Sequence, residues 1–112
     1  METYVICWER ISYPKGDDPD TSFSVLPLSF GSRMSAMEYL ENEELPKEVE
    51  KLKQECMIES GVEESELNIS GWVYLEDPFI QAEINVKIEE DLVESISYKV
   101  IKTELQMATL IN

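Results

Sequence analysis

Residues 79–88 read FIQAEINVKI, in which Ile80, Ala82, Ile84, Val86 and Ile88 alternate with Gln81, Glu83, Asn85 and Lys87. A period of two sends the first set to one face of a strand and the second to the other, so this segment is a strand with one buried and one wet face. On its C-terminal side Glu89-Glu90-Asp91 makes a turn, and Ile96, Tyr98 and Val100 mark a further strand to about Thr103. The closing residues 107–112 (MATLIN) continue that strand or pack separately. On its N-terminal side Asp77-Pro78 makes a turn, preceded by a strand from Leu67 in which Ile69, Val73 and Leu75 flank Gly71. Three strands joined by short turns form an antiparallel meander, and their one-sided alternation leaves a face for helices to cover.

Upstream of Leu67 the period lengthens. Leu45, Val49, Leu52 and Cys56 fall at helical spacing and make one apolar stripe, which Ser60-Gly61 ends. Pro46 suits the first turn of a helix, so residues 46–60 form a second helix or a kinked continuation of an earlier one. That earlier helix runs to about Asn42 and points Met34, Ala36, Met37 and Leu40 at the core. Its start is capped by Ser35, with Glu38 three residues on, or by Ser32.

Residues 3–11 (TYVICWERI) form a strand, with Tyr4, Ile6 and Trp8 on one face and Val5, Cys7 and Ile11 on or near the other. Apolar character on both faces places it inside a sheet. Residues 14–20 (PKGDDPD) break regular structure, and 22–30 (SFSVLPLSF) form another strand. Pro27 cannot donate to a ladder and assigns that strand to a sheet edge or a bulge. The expected fold class is α+β: a four- to five-stranded antiparallel sheet, with one helix or a kinked helix pair on one face, in the order β-β-α-(α)-β-β-β. A chain of 112 residues has room for one such domain, spanning 1–112.

Charge is the outlying property. Twenty-four acids against nine bases give a net charge of −15, which repels nucleic acid and lipid headgroups and attracts basic surfaces over long range. The excess peaks in the middle: residues 35–70 hold eleven acids and three bases. Glu38, Glu41, Glu43 and Glu44 cluster on the first helix, where carboxylates three or four residues apart sit about 5–6 Å from each other. Glu63, Glu64 and Glu66 follow the second helix, and Glu89, Glu90 and Asp91 crowd one turn. Within the second helix Glu50 is placed to pair with Lys53 and Lys51 with Glu55, so much of its charge is compensated.

Catalytic machinery is missing from the pattern. The chain has no histidine, which removes the commonest general base at neutral pH and the commonest transition-metal ligand. None of the four glycines sits in a phosphate-cradling motif. Asp17, Asp18 and Asp20 supply oxygen ligands without calcium-loop spacing, and read as a solvated turn. Cys7 and Cys56 are too few for a zinc site or a disulfide framework and read as buried free thiols. Asn68-Ile69-Ser70 matches a glycosylation sequon by chance. The N-terminus lacks a signal peptide's apolar core, and no stretch reaches the roughly 18 apolar residues of a membrane span. Nine dispersed bases do not make a nucleic-acid surface.

The expectation is therefore a cytoplasmic binding protein, not an enzyme, with no cofactor and no metal, as a monomer or small oligomer. In size, charge and lack of catalytic motifs it resembles the small acidic phage inhibitors of restriction and CRISPR nucleases (anti-restriction and anti-CRISPR proteins). That resemblance implies a protein partner, possibly a nuclease, whose basic, nucleic-acid-binding surface is covered. The acids at 38, 41, 43, 44, 63, 64, 66 and 89–91 are the candidate contacts. An immunity or antitoxin-like protein that neutralises a basic toxin has the same profile. A housekeeping adaptor using an exposed sheet edge is a third alternative.

Overall fold

The structure, a computed structural model of the 112-residue chain, describes residues 2–14, 16–76 and 79–104. The Asp77-Pro78 turn and the continuation over 107–112 lie outside the described residues. The elements follow the expected order: β1 (Glu2–Ser12), β2 (Asp20–Phe30), α1 (Arg33–Tyr39), a π-helical turn (Leu40–Glu44), α2 (Leu45–Ser60), a 3₁₀ turn (Glu64–Glu66), β3 (Leu67–Glu76), β4 (Phe79–Ile88) and β5 (Asp91–Glu104). The five strands form one antiparallel sheet in the spatial order β2-β1-β5-β4-β3.

The meander of β3, β4 and β5 is as expected, and so is the place of β1, which runs between β2 and β5. Pro27 satisfies both halves of its expectation. It lies on the edge strand, and the register with β1 slips between Val5↔Ser29 and Cys7↔Val25, so that two extra residues bulge out around it. A missing N–H is harmless there.

One face of the sheet is covered. Ile6, Ile80, Ala82, Ile84, Val86, Ile96, Tyr98 and Val100 are buried against Ala36, Leu40, Leu45, Leu52 and Cys56. Met34, expected toward the core, is instead 54% exposed. The helix begins one cap earlier than the Ser35 alternative: the Ser35 amide donates to the Ser32 side chain at 3.1 Å. That start turns position 34 outward and gives positions 36 and 40 to the core. Gly61 closes α2 in the left-handed conformation (φ 66°), and its amide donates to the Met57 carbonyl at 3.0 Å.

Between α1 and α2 the helix does not stop. Tyr39, Leu40, Glu44 and Leu45 all keep right-handed helical angles, and the Leu45 amide reaches back five residues to the Leu40 carbonyl. Proline in a regular helix lacks one hydrogen bond and clashes with the carbonyl four residues earlier. The wider turn of residues 40–44 stands directly before Pro46. The buried apolar positions 36, 40, 45, 52 and 56 contain one five-residue step, from Leu40 to Leu45, with Glu44 buried beside it. The combined helix spans about 42 Å at 1.5 Å per residue, close to the 48 Å long axis of the molecule. Among the described residues no helix is long and apolar enough to cross a membrane.

Candidate functional site

The antiparallel pairing carries three acidic segments to the same end of the sheet. Ser12, at the end of β1, pairs with Asp20 on one side and Glu94 on the other, and the Tyr13 amide donates to the Val93 carbonyl at 3.0 Å. The 13–20 loop, with Asp17 and Asp18 exposed, therefore lies beside the start of β5. Leu67 pairs with Ile88, and the Glu89 amide approaches the Glu66 carbonyl at 3.4 Å. This joins the 63–66 segment to the Glu89-Glu90 hairpin tip. The C-terminus of α2 arrives at the same end, where Lys53 reaches Glu64 at 3.0 Å.

A cleft of about 590 Å³ opens among these segments, and Asp20, Glu59, Glu89, Asp91 and Glu94 contribute to its walls. Asp17, Asp18, Asp20, Glu59, Glu63, Glu64, Glu66, Glu89, Glu90 and Asp91 are all exposed. Among the described residues, the bases that border this end are engaged or turned away. Arg10 donates to Glu94 at 2.9 Å and Glu55 at 3.1 Å; Lys53 binds Glu50 and Glu64; Lys87 is exposed on the opposite, uncovered face of the sheet. Among the described residues no three His, Cys, Asp or Glu side chains are grouped to hold a metal ion. Among the described residues, the exposed charged side chains around this cleft are carboxylates.

Glu89 adds a conformational observation. It takes the first position of a two-residue hairpin turn with φ 58°, the only positive φ of a described non-glycine residue. Hairpin turns usually give such a position to glycine, asparagine or aspartate. The turn keeps a long acidic side chain where a residue without one would be less strained.

The acids of the first helix divide. Glu38, Glu41 and Glu43 are exposed, and none of them takes part in an ion pair among the described residues. Glu44 does not belong to this patch. It is 6% exposed and accepts a hydrogen bond from the Tyr98 hydroxyl at 3.2 Å. The π turn explains the correction: with one extra residue between Leu40 and Leu45, positions 44 and 45 both face the sheet. Burial, and then the adjacent Glu44 carboxylate, hold the Tyr98 phenol far above its usual range, so it remains a donor.

The charge pairing along α2 also differs from expectation. The Glu50–Lys53 pair forms at 3.2 Å, but Glu55 turns from Lys51 to Arg10 on the sheet beneath. Arg10 holds Glu94 as well, which in turn accepts from the Ser12 hydroxyl at 2.9 Å. These contacts clamp α2 to β1 and β5. Cys56 is buried and Cys7 half-buried; the two thiols are free. They occupy opposite sides of the sheet, because Cys7 alternates with the inward-facing Ile6. Burial pushes the Cys56 thiol above its ordinary range, the reverse of what a nucleophile needs.

Glu48, on the same helix, is half-buried, and desolvation raises its pKa, with the Glu44 charge adding to the effect. A carboxyl whose folded pKa lies above its unfolded value takes up protons more readily when folded. Its contribution to stability therefore falls as pH rises from the unfolded pKa through the folded one. Glu48→Gln is expected to raise the melting temperature by roughly 2 °C at pH 7 and to leave it unchanged at pH 3. Thermal denaturation at the two pH values checks this, and equal shifts at both would show that ionisation is not the cause.

Of the candidate acids, 63, 64, 66 and 89–91 meet at one end, 38, 41 and 43 stand apart on the helix, and 44 is internal. Asp20, Glu59 and Glu94 line the acidic cleft and were not among the candidates. Asp20 and Glu94 approach only through the pairing of β1 with β5, which joins Ser12 to Glu94 across 82 positions, and Glu59 joins them through the packing of α2; no local pattern contains either. No protein-family model matches the chain, no curated protein matches it in sequence, and no solved structure matches its fold.

Proposed function

We propose that this chain is a binding protein whose acidic end covers a basic, nucleic-acid-binding surface of another protein. The observation that carries the reading is the gathering of the 17–20, 59–66 and 89–91 acids at one end of the sheet, beside a cleft that Asp20, Glu59, Glu89 and Asp91 line, with Arg10 and Lys53 beside them already paired. Carboxylates so placed compete with a phosphate backbone for the same lysines and arginines. The strained Glu89 at the centre of the field supports the same reading, since backbone strain is tolerated where a side chain is used. Such an activity fits a phage anti-defence role, of the anti-restriction or anti-CRISPR type, exercised in the cytoplasm where those nucleases act. Exposed Glu38, Glu41 and Glu43 form a second, separate acidic patch near the start of the long helix.

Capture of partners from host lysate on the full chain, followed by mass spectrometry and by affinity measurement at increasing salt, tests this. The expected partner is basic, and its affinity falls steeply between low and high salt. The triple reversal Glu63→Lys, Glu66→Lys and Glu90→Lys is expected to weaken binding by about a hundred-fold or more, with the melting temperature little changed because all three side chains are exposed. An affinity indifferent to both salt and charge reversal overturns the reading.

A further inference from the structure

The two sheet edges are built differently. On the β2 side, Pro27 and the bulge around it interrupt the ladder, devices that discourage pairing with another chain. On the β3 side there is no such device. β3 pairs with β4 through ten consecutive positions without a register shift, from Leu67↔Ile88 to Glu76↔Phe79. The segment 67–75 contains no proline and no charged residue. Among the described residues nothing pairs with its other side, so alternate N–H and C=O groups of a straight strand point outward.

A groove of about 540 Å³ runs beside this edge, between β3 and the helix. Half-buried Met37 and Val49 and buried Leu45 form its helical wall, Ile69 and Val73 its strand wall, and exposed Glu41 stands on it. Gly71 narrows the strand at its middle. A Cβ there would stand 3.7 Å from a Val49 methyl and 3.4 Å from Ile84, so glycine keeps the floor open. A strand added to β3 would direct every second side chain over this groove, covering apolar surface that the chain leaves half exposed.

We propose that β3 takes an extended segment of a protein partner by strand addition, with every second side chain over the groove, apolar along Ile69 and Val73 and basic where it meets Glu41 on the helical wall. The inference rests on the proposed binding of a basic protein and names a second contact for it. Charge selects the occupant. A second copy of this chain would bring another net −15 and another Glu41 to the same edge, whereas a basic strand neutralises them.

The probe is a capped peptide of alternating valine and lysine in which one groove-facing valine is replaced by lysine to meet Glu41, titrated into the full chain, with amide hydrogen exchange and chemical shifts followed residue by residue. A second peptide has the same side chains but alternate backbone nitrogens methylated, which removes strand pairing and retains charge. The expected result is protection of amides within 67–75 by the first peptide and at least about ten-fold weaker binding of the second. Glu41→Lys is expected to weaken the first peptide without changing the protein's melting temperature. Equal binding of both peptides with shifts centred on 63–66 and 89–91 overturns strand addition and leaves the acidic-surface reading standing. Binding of neither peptide overturns strand addition, whereas the acidic-surface reading is decided by the salt and charge-reversal measurements. Concentration-dependent dimerisation that protects 67–75 without peptide overturns the choice of occupant.

Discussion

Leu40→Ala is expected to lower the free energy of unfolding by about 3 kcal/mol, towards the middle of the range for emptying a fully buried leucine site. Leu40 has no exposed surface and its carbonyl accepts the five-residue hydrogen bond of the π turn. Loss of a large side chain is milder where the surroundings can settle into the space. Here they are held from both sides: Glu44 is fixed to Tyr98, and the pairing of β5 with both neighbours fixes Tyr98. The cavity should therefore persist. Chemical denaturation of wild type and variant checks the value, and an unchanged m-value would show that the two unfold over the same surface. A loss under about 1 kcal/mol would mean that the helix settles onto the sheet, and that the π turn is not rigid.

The second large effect concerns Arg10, replaced by methionine to keep its aliphatic stem. The guanidinium binds carboxylates from two other elements, Glu55 of α2 and Glu94 of β5. Hydrogen bonding to Glu94 is the largest cause that drives the Arg10 pKa upward, above a value already beyond the working range. A base with a raised folded pKa contributes stability below its unfolded pKa and loses it only above, so Arg10 itself contributes at every ordinary pH. Its removal strands Glu94, whose side chain is 12% exposed, beside Glu55 with no cation between them. A loss of about 2–3 kcal/mol at pH 7 is expected, below the full value for a buried pair because Arg10 and Glu55 are partly exposed. In acid strong enough to protonate both carboxylates the variant and wild type should converge. Urea denaturation at neutral and acid pH tests this, and an equal loss at both would assign the effect to packing of the stem.

What was legible in the sequence is what a short window encodes. The alternation over 79–88, the stop at Gly61, the edge character imposed by Pro27 and the internal character of 3–11 all depend on residues within a few positions. They appear in the structure as expected. Pro46 was legible as a perturbation but not as its accompaniment, a widened turn over residues 40–44 that no local pattern marks. That turn decided the fate of Glu44, which a charge count assigns to the surface and the π turn sends to the core. Arg10 shows the other limit. Glu55 has a partner four residues away in Lys51 and another 45 residues away in Arg10, and the fold selects the distant one. The same holds for the acidic end, where helix, hairpin tip and the 13–20 loop meet only after the sheet has formed.

The π turn can also be described as a matter of chain length. An α-helix that repeats every 3.6 residues needs four positions, not five, between Leu40 and the next buried apolar site. One residue of the 41–44 stretch is thus an insertion with respect to the helix's own repeat. Removing any one of the four, with Pro46 changed to alanine, leaves the stripes before and after in phase on a straight helix. The four deletions are equivalent for the helix and unequal for the core, because only loss of Glu44 takes away the carboxylate that Tyr98 donates to. The inserted residue and the buried acid are separable, and the helix carries both at the cost of one extra turn position.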